Sequence, residues 1–429
     1  MSALQMLDRR RWALGAGAMI CACLLLMGLM ANRFSPGAGA GAGADGAARS
    51  EAPDFVVTGT GDAGPGTLRD AILAADRLST HARIRITAQR IATESALPAL
   101  VNPRGVELQG AAGAGIIDAS RQQTGAVLQI NSPNTLITGL TLIHARGFGI
   151  MVNAAGVRLE SVTVSDSKVG ILIGAGAADC IIRAALLTGN ETGLLAESDV
   201  HNLTVLTSTF RANSRAGFWL VAPAATHGPV VAGKERARIA DSLFESNTSG
   251  VVVANQLISV QRSRFVGNRE SAMLVLGGAA RLEDSEIHDS GGTAVSVSAG
   301  NAVVLTRNRI FDNSSTAISL RDSDVTVSGN TLTHNGLGIV SIGGQPQLVP
   351  LIADNSITDT AADAITIIGG APLLQRNTIT GSHGAALRQL DLVNGPKRIK
   401  AAPRLEANIL KGNRLDTPVI GTYTLTGAP

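Results

Sequence analysis

Charge and aromatic rings are scarce in this chain. Of its 429 residues only 16% are Asp, Glu, Lys or Arg, and Phe, Trp and Tyr together make up 3%. With a formal balance of only +3 and no basic patch with interleaved aromatics, no nucleic-acid partner is expected. Cysteine is rarer still. Cys21 and Cys23 lie in one N-terminal apolar run, and Cys180 stands alone outside it, so the rest of the chain can form no intrachain disulfide. No cofactor is expected and no metal-ligand set is seen. Glycine is plentiful, with 49 residues among many Val, Ile, Leu and Ala, a composition that fits tightly wound backbone.

The stretch from Leu257 to Leu320 organises the chain. It repeats one unit three times, with a small residue ahead of each last apolar run at Ala272, Ala294 and Ala317, so the steps are 294−272 = 22 and 317−294 = 23. The same position recurs at Gly149, Gly170, Gly193, Gly217 and Gly250 before it, and at Gly338, Ala364 and Ala386 after it. A fixed period of this size marks a stacked-repeat architecture. Apolar residues alternate at period 2 (Ile258/Val260, then Met273/Val275), so each unit is built of strands joined by polar turns. An all-β parallel β-helix follows, each coil covering its neighbour's core.

Three columns support this register. An inward slot reads Leu186, Phe210, Phe244, Phe265, Ile287, Ile310, Leu332, Ile357, Ile379. A turn slot reads Ser208, Ser242, Ser263, Ser285, then Asn308, Asn330, Asn355, Asn377, as expected of side chains that hydrogen-bond from coil to coil. Just before it come Asp241, Arg262, Asp284, Arg307, Gly329, Asp354 and Arg376, whose signs alternate between most neighbouring coils.

Ahead of the repeats, Arg9, Arg10 and Arg11 precede an uncharged run from Trp12 to Ala31, long enough to span a bilayer. The arginines place the N-terminus in the cytoplasm. Residues 1–31 are expected to be a cytoplasmic tail and signal anchor holding the chain on the periplasmic side of the inner membrane. A cleaved signal peptide, leaving the chain secreted or periplasmic, is the alternative. Residues 32–53 are a Gly/Ala-rich tether and 54–429 the solenoid.

The opening of the solenoid carries a resemblance. Phe55-Val-Val-Thr58, then Asp62-Ala-Gly-Pro-Gly-Thr-Leu-Arg-Asp-Ala-Ile72, Ser95-Ala-Leu-Pro98, Val106-Glu-Leu-Gln-Gly110 and Gly115-Ile-Ile-Asp118 resemble the start of exported right-handed parallel β-helix proteins of the pectin-lyase-like superfamily. The resemblance covers about residues 54–420 and implies a right-handed coil. Thr67–Leu73 reads as a helix with Leu68, Ile72 and Leu73 on one face, suited to capping the open end of the core. The superfamily contains polysaccharide lyases, hydrolases and uronate epimerases as well as non-catalytic scaffolds and adhesins. The Asp-Pro-His-Asp signature associated with its periplasmic mannuronan epimerases is absent here.

In enzymes of that superfamily the substrate groove usually follows the outward face of the strands after the small residue. Here that face runs Met151, Asn153, Leu172, Leu195, Glu197, Trp219, Val221, Val252, Leu274, Leu276, then Ser296, Ser298, Ser319, Arg321, Val340, Thr366 and Arg388. The Leu172–Leu276 part is an apolar stripe, expected to be covered by a protein partner, by the insertion at residues 223–235 or by a C-terminal segment. No row of Asp for calcium and no Asp pair for hydrolysis lies along it. A second group occurs four residues after the turn slot, where Asp289, Asp312, His334 and Asp359 recur on consecutive coils. Acids beside a histidine can act as acid and base, with Arg321 holding a uronate carboxylate and Arg388 and Trp219 as further substrate contacts. His144 and Arg146 form a second, smaller candidate. The reading that follows is a polysaccharide-binding or polysaccharide-guiding scaffold. A lyase or uronate C5-epimerase using that acid–histidine set, and an adhesin-like structural protein, are the alternatives.

Overall fold

The structure, a computed structural model, describes residues 52–197, 200–221, 235–345 and 347–424. The expected anchor Trp12–Ala31 and almost all of the insertion at 223–235 lie outside the described residues. Among those that are described, no helix is long and apolar enough to cross a membrane.

Each repeat supplies one strand to each of three parallel sheets. The first sheet has 15 strands, from Asp54–Val57 to Arg404–Glu406. The second has 14, from Arg90–Ala92 to Ile409–Lys411. The third has 14 and runs from Ala126–Ile130 to Leu387–Asn394, which pairs further with Val419–Thr424 and with the antiparallel strand Lys397–Ile399. The whole is a right-handed parallel solenoid of about 13 coils. At ~4.8 Å per coil it is roughly 60 Å long.

The inward columns explain why the sheets stack in this register. Phe210, Phe244 and Phe265 are fully buried and stack ring on ring, with centroids 4.6 and 4.8 Å apart. Beside these rings the small residue that marks the repeat is glycine for want of space. A Cβ on Gly217 would sit 2.9 Å from the Phe244 ring and 2.8 Å from the carbonyl oxygen of Gly250. Two expectations need correcting. The inward slot before Phe210 belongs to Leu187, which is fully buried and pairs with Phe210, and not to partly buried Leu186, because the inward residue follows the left-handed corner residue by three, Leu187 after Ala184 as Phe210 after Thr207. In the helix Leu68–Asp76 the core face is Leu68, Ala71, Ile72 and Ala75, whereas Leu73 is 43% exposed, since at 100° per residue it follows Ile72 round to the solvent side. Thr67 caps this helix, and Arg69 clamps Asp62 with Nη2 at 2.9 and 3.0 Å from its two carboxylate oxygens.

The corner from the first sheet to the second holds the Ser/Asn ladder as expected. The Asn308 amide N–H and Nδ2 both donate to Asn330 Oδ1, at 2.9 and 3.0 Å, and Nδ2 also donates to the Leu282 carbonyl at 2.8 Å. Just before it, Asp241, Arg262, Asp284, Arg307, Asp354 and Arg376 all take left-handed backbone, with φ of 45–57°. Their side chains join as fork-on-carboxylate pairs: Arg262 with Asp241, Arg307 with Asp284 and Arg376 with Asp354, at 2.7–2.9 Å. Each arginine holds its aspartate carboxyl below the usual carboxylate range through these hydrogen bonds.

Candidate functional site

The corner from the second sheet to the third has the same backbone logic. Its first residue is again left-handed: Asp289, Asp312, His334 and Asp359 have φ of 58, 54, 53 and 52°. Glycine takes the position at Gly267, Gly381 and Gly412. The left-handed region favours Gly, Asn, Asp and His, so the corner itself selects these residue types. A second ladder, not apparent in the repeat alignment, follows at once. Asn190, Asn213, Asn247, Asn268, Asn313 and Asn335 are at most 1% exposed. Each is tied to its neighbours, as where Asn313 Nδ2 donates to Asn335 Oδ1 at 2.9 Å. The rim residues therefore project from a rigid base.

Three of the four rim residues come together. His334 Nδ1 lies 3.7 Å from Asp312 Oδ1 and Nε2 lies 3.8 Å from Asp359 Oδ2, with all three side chains more than half exposed. At these distances the imidazole sits between two carboxylates without a hydrogen bond to either. Asp289 does not join them. Its Oδ2 accepts from His288 Nδ1 at 2.7 Å, and the His288 ring stacks on Phe311 with centroids 4.8 Å apart.

Beside His334 lies a shallow cleft of about 180 Å³ lined by Arg309, Phe311, Thr331, Thr333 and His334. It arises from a change of side-chain size between coils. Arg309 and Phe311 are in register with Thr331 and Thr333, so two long side chains on one coil face two short ones on the next. The short side continues as Ser356/Thr358 and Thr378/Thr380, a lane of six hydroxyls on three coils. The Arg309 guanidinium lies over the Phe311 ring at 5.2 Å and donates to Glu286 at 2.7 Å. A larger cavity, about 360 Å³, lies on the outer face of the first sheet against Asn202, Leu203, Thr204, Leu206, Glu235 and Arg238. With one acid, one guanidinium and neither an aromatic ring nor an imidazole, it offers less chemistry than the smaller cleft.

A profile of the right-handed β-helix region matches residues 125–281 and again 249–394, together more than half of the chain. The chain belongs to the right-handed β-helix family. No curated protein matches this β-helix in sequence. Among solved structures, the catalytic unit of a thermostable GH87 α-1,3-glucanase from Streptomyces thermodiastaticus strain HF3-3 is similar, with a TM-score of 0.50, 15% identity, and coverage of 88% of this chain and 71% of that one. A PL6 alginate lyase in complex with a trisaccharide gives 0.49 at 10% identity, covering 89% and 90%. The A-module of an Azotobacter vinelandii mannuronan C-5 epimerase gives 0.47 at 16% identity, covering 84% and 93%. At these identities the likeness concerns the fold alone.

The remaining expected contacts lie elsewhere on the β-helix. Arg321 ends the strand Thr316–Arg321, whereas Asp312 precedes its start, so the strand's length, about 16 Å, separates them. Arg321 therefore does not complete the rim set. Arg388 is paired with Asp363, Nη2 to Oδ1 at 3.0 Å. Trp219 lies five coils before the His334 coil on the third sheet, ~24 Å along the axis, with the Arg215 guanidinium 4.1 Å above its ring. The apolar stripe faces outward, but Leu172 and Val252 are 2% and 7% exposed, and only Leu276, at 37%, counts as exposed. It is a half-buried seam, because outward side chains on strands ~4.8 Å apart shade one another.

The second candidate pair also separates. Arg146 donates to Gln123, while His144 Nδ1 lies 3.0 Å from Asp118 Oδ1, and Arg90 donates to Asp118 Oδ2 at 2.5 Å. The Asp118 side chain is only 11% exposed. Burial pushes its carboxyl up, but the hydrogen bonds from Arg90, His144 and Ser120 outweigh this and hold it well below the usual range. Cys180 is a free, buried thiol, which burial pushes up to about 11. Among the described residues no cluster of His, Cys, Asp or Glu could hold a metal ion.

Proposed function

We propose that this β-helix binds a polysaccharide along the outer face of its second sheet and acts as a scaffold without turnover. The observation that carries this reading is the step from Arg309/Phe311 down to the hydroxyl lane, with His334 at its edge. A sugar ring has an apolar C–H face and a rim of hydroxyls. Phe311 offers a ring for the first, and Thr331, Thr333, Ser356 and Thr358 offer hydrogen-bonding partners for the second. Coils ~4.8 Å apart present these groups as a repeating track, which suits a polymer better than a single small molecule. A fold shared with the catalytic unit of a GH87 α-1,3-glucanase is compatible with that ligand class.

Geometry weighs against the enzyme alternative. Uronate chemistry needs a cation on the carboxylate within reach of the acid and base, and Arg321 lies a strand's length away while Arg309 is engaged by Glu286. The rim is also open to water. On this reading the chain is exported and held by Trp12–Ala31 on the periplasmic side of the inner membrane, with the helix Leu68–Asp76 closing the first coil. A protein partner along the Leu172–Leu276 seam is compatible with it. The test is a panel of neutral and acidic bacterial polysaccharides, scored for binding, for new unsaturated ends by absorbance and for exchange of the C5 proton with deuterium. Binding that Phe311→Ala weakens, without turnover, supports the scaffold. Turnover lost in His334→Ala would overturn it in favour of a lyase or epimerase.

A further inference from the structure

Among the described residues the last layer of the core is left open. Leu374, Ile379 and Ala385 are at most 2% exposed. One coil later their register partners are Leu405, Leu410 and Leu415, of which Leu405 is 46% and Leu415 43% exposed. Ile420 continues the column of buried Ile367 through Gln389 and is 78% exposed. The strands Arg404–Glu406, Ile409–Lys411 and Val419–Thr424 each have one neighbour, so each presents a free edge among the described residues. Aliphatic side chains beside three open strand edges make a template for further pairing.

We infer that this end is a homodimer interface, in which a second copy of the chain docks end to end across a two-fold axis through Leu405. The identity of the occupant comes from the edge strand itself. Arg404-Leu405-Glu406 reads positive, apolar, negative. The charged side chains face outward, 71% and 41% exposed, Arg404 Nη2 lying 3.3 Å from Glu406 Oε1 in the same strand and Gln375 donating to the other carboxylate oxygen, so docking exchanges a pair within one chain for two across the junction. A two-fold axis perpendicular to the solenoid makes every strand pair across the junction antiparallel. Centred on Leu405, it sets Arg404 against Glu406 of the partner subunit and Leu405 against its own copy. Opposite charges directly across an antiparallel pair are favourable, and like charges are not. The strand is therefore its own complement in this arrangement, and the symmetry closes at two copies.

The experiment measures the mass of the full chain in mild detergent by multi-angle light scattering, with the detergent contribution subtracted. The expected mass is two chains. Arg404→Glu alone places like charges together on both sides of the axis and should give one chain, and Glu406→Arg alone should do the same. Mixing the two variants should restore a two-chain species, and the double variant R404E/E406R should dimerise like the parent. Circular dichroism reports whether the coils persist, and the double variant remains decisive if a single reversal unfolds the last coil. A one-chain parent, a ladder of longer species, or a dimer indifferent to both reversals would each overturn the inference.

Discussion

Two corner columns run the length of this β-helix, and they use left-handed backbone in the same way but treat charge oppositely. At the corner into the second sheet, each arginine grips the aspartate one coil earlier, with two hydrogen bonds of 2.7–2.9 Å. At the corner into the third sheet, Asp312, His334 and Asp359 stand 3.7–3.8 Å apart with no hydrogen bond among them. The first column spends its charge on itself. The second leaves acceptors and an imidazole facing solvent beside a cleft and a lane of hydroxyls. Backbone geometry accounts for Asp and His at the second corner, but not for the absence of arginine, which the first corner shows to be compatible with the same φ. That contrast marks the second column as the one with chemistry to offer a ligand.

The largest effect tests what the columns have in common, a buried ladder beside each, here the one at the corner into the third sheet. Asn335 is fully buried, donates from Nδ2 to the Ile310 carbonyl at 2.8 Å, and accepts from Asn313 through Oδ1. Asn335→Ala strands these partners without water and should cost roughly 2–4 kcal/mol. Chemical denaturation of the variant checks it, and a loss under about 1 kcal/mol would mean that the ladder contributes little beyond shape.

The next effect concerns Asp118, the largely buried carboxylate beside His144. Because Asp118 is held below its unfolded value, the stability it contributes is present at neutral pH. It is lost as the pH falls below about 4, where the unfolded chain takes up the proton first. Asp118→Asn should lower stability at neutral pH and flatten the acid limb of the stability curve. Parallel curves for variant and parent would show that the Arg90–Asp118–His144 contacts carry no such linkage.

These residues also show how far the sequence could be read. A period of about 22 residues names the fold because each coil must bury its neighbour, and sign alternation in Asp241 to Arg376 disclosed the ion pairs because stacked charges must compensate. Leu186 and Leu187 are adjacent leucines, so composition alone does not tell the inward one from its neighbour, whereas the corner at Ala184 does. The cleft was missed for a different reason. It depends on the contrast between Arg309/Phe311 and Thr331/Thr333, the outward neighbours of inward Ile310 and Leu332, and a column of inward residues ignores them. The T-x-T, S-x-T, T-x-T series at 331, 356 and 378 was nevertheless there to be seen. Arg321 belongs to the outward face of the third sheet and the acid–histidine set to its rim, and alignment by coil alone hides the six-residue strand that separates them.

At the cleft, Phe311→Ala should weaken polysaccharide binding about tenfold through loss of the stacking surface. Isothermal titration measures it, and unchanged affinity would remove Phe311 from the site.

The smallest change to the fold sharpens the comparison most. His334 follows Asp312 by 334−312 = 22 residues, the same one-coil step that places Arg376 on Asp354. His334→Arg should therefore convert the open column into a copy of the closed one, with the new guanidinium gripping Asp312. An exposed pair of this kind hardly alters stability, so the melting temperature should stay near that of the parent. Binding should nevertheless fall, because the acceptor on Asp312 is now occupied and the imidazole is gone. Adding Asp312→Ala to His334→Arg separates the two causes. If affinity recovers partly in the double variant, the captured carboxylate had blocked the cleft, and if it does not, the imidazole itself is the contact. Full affinity in His334→Arg would mean that the unpaired rim is incidental to the ligand, and that the difference between the two columns reflects only the tolerance of a left-handed corner for many side chains.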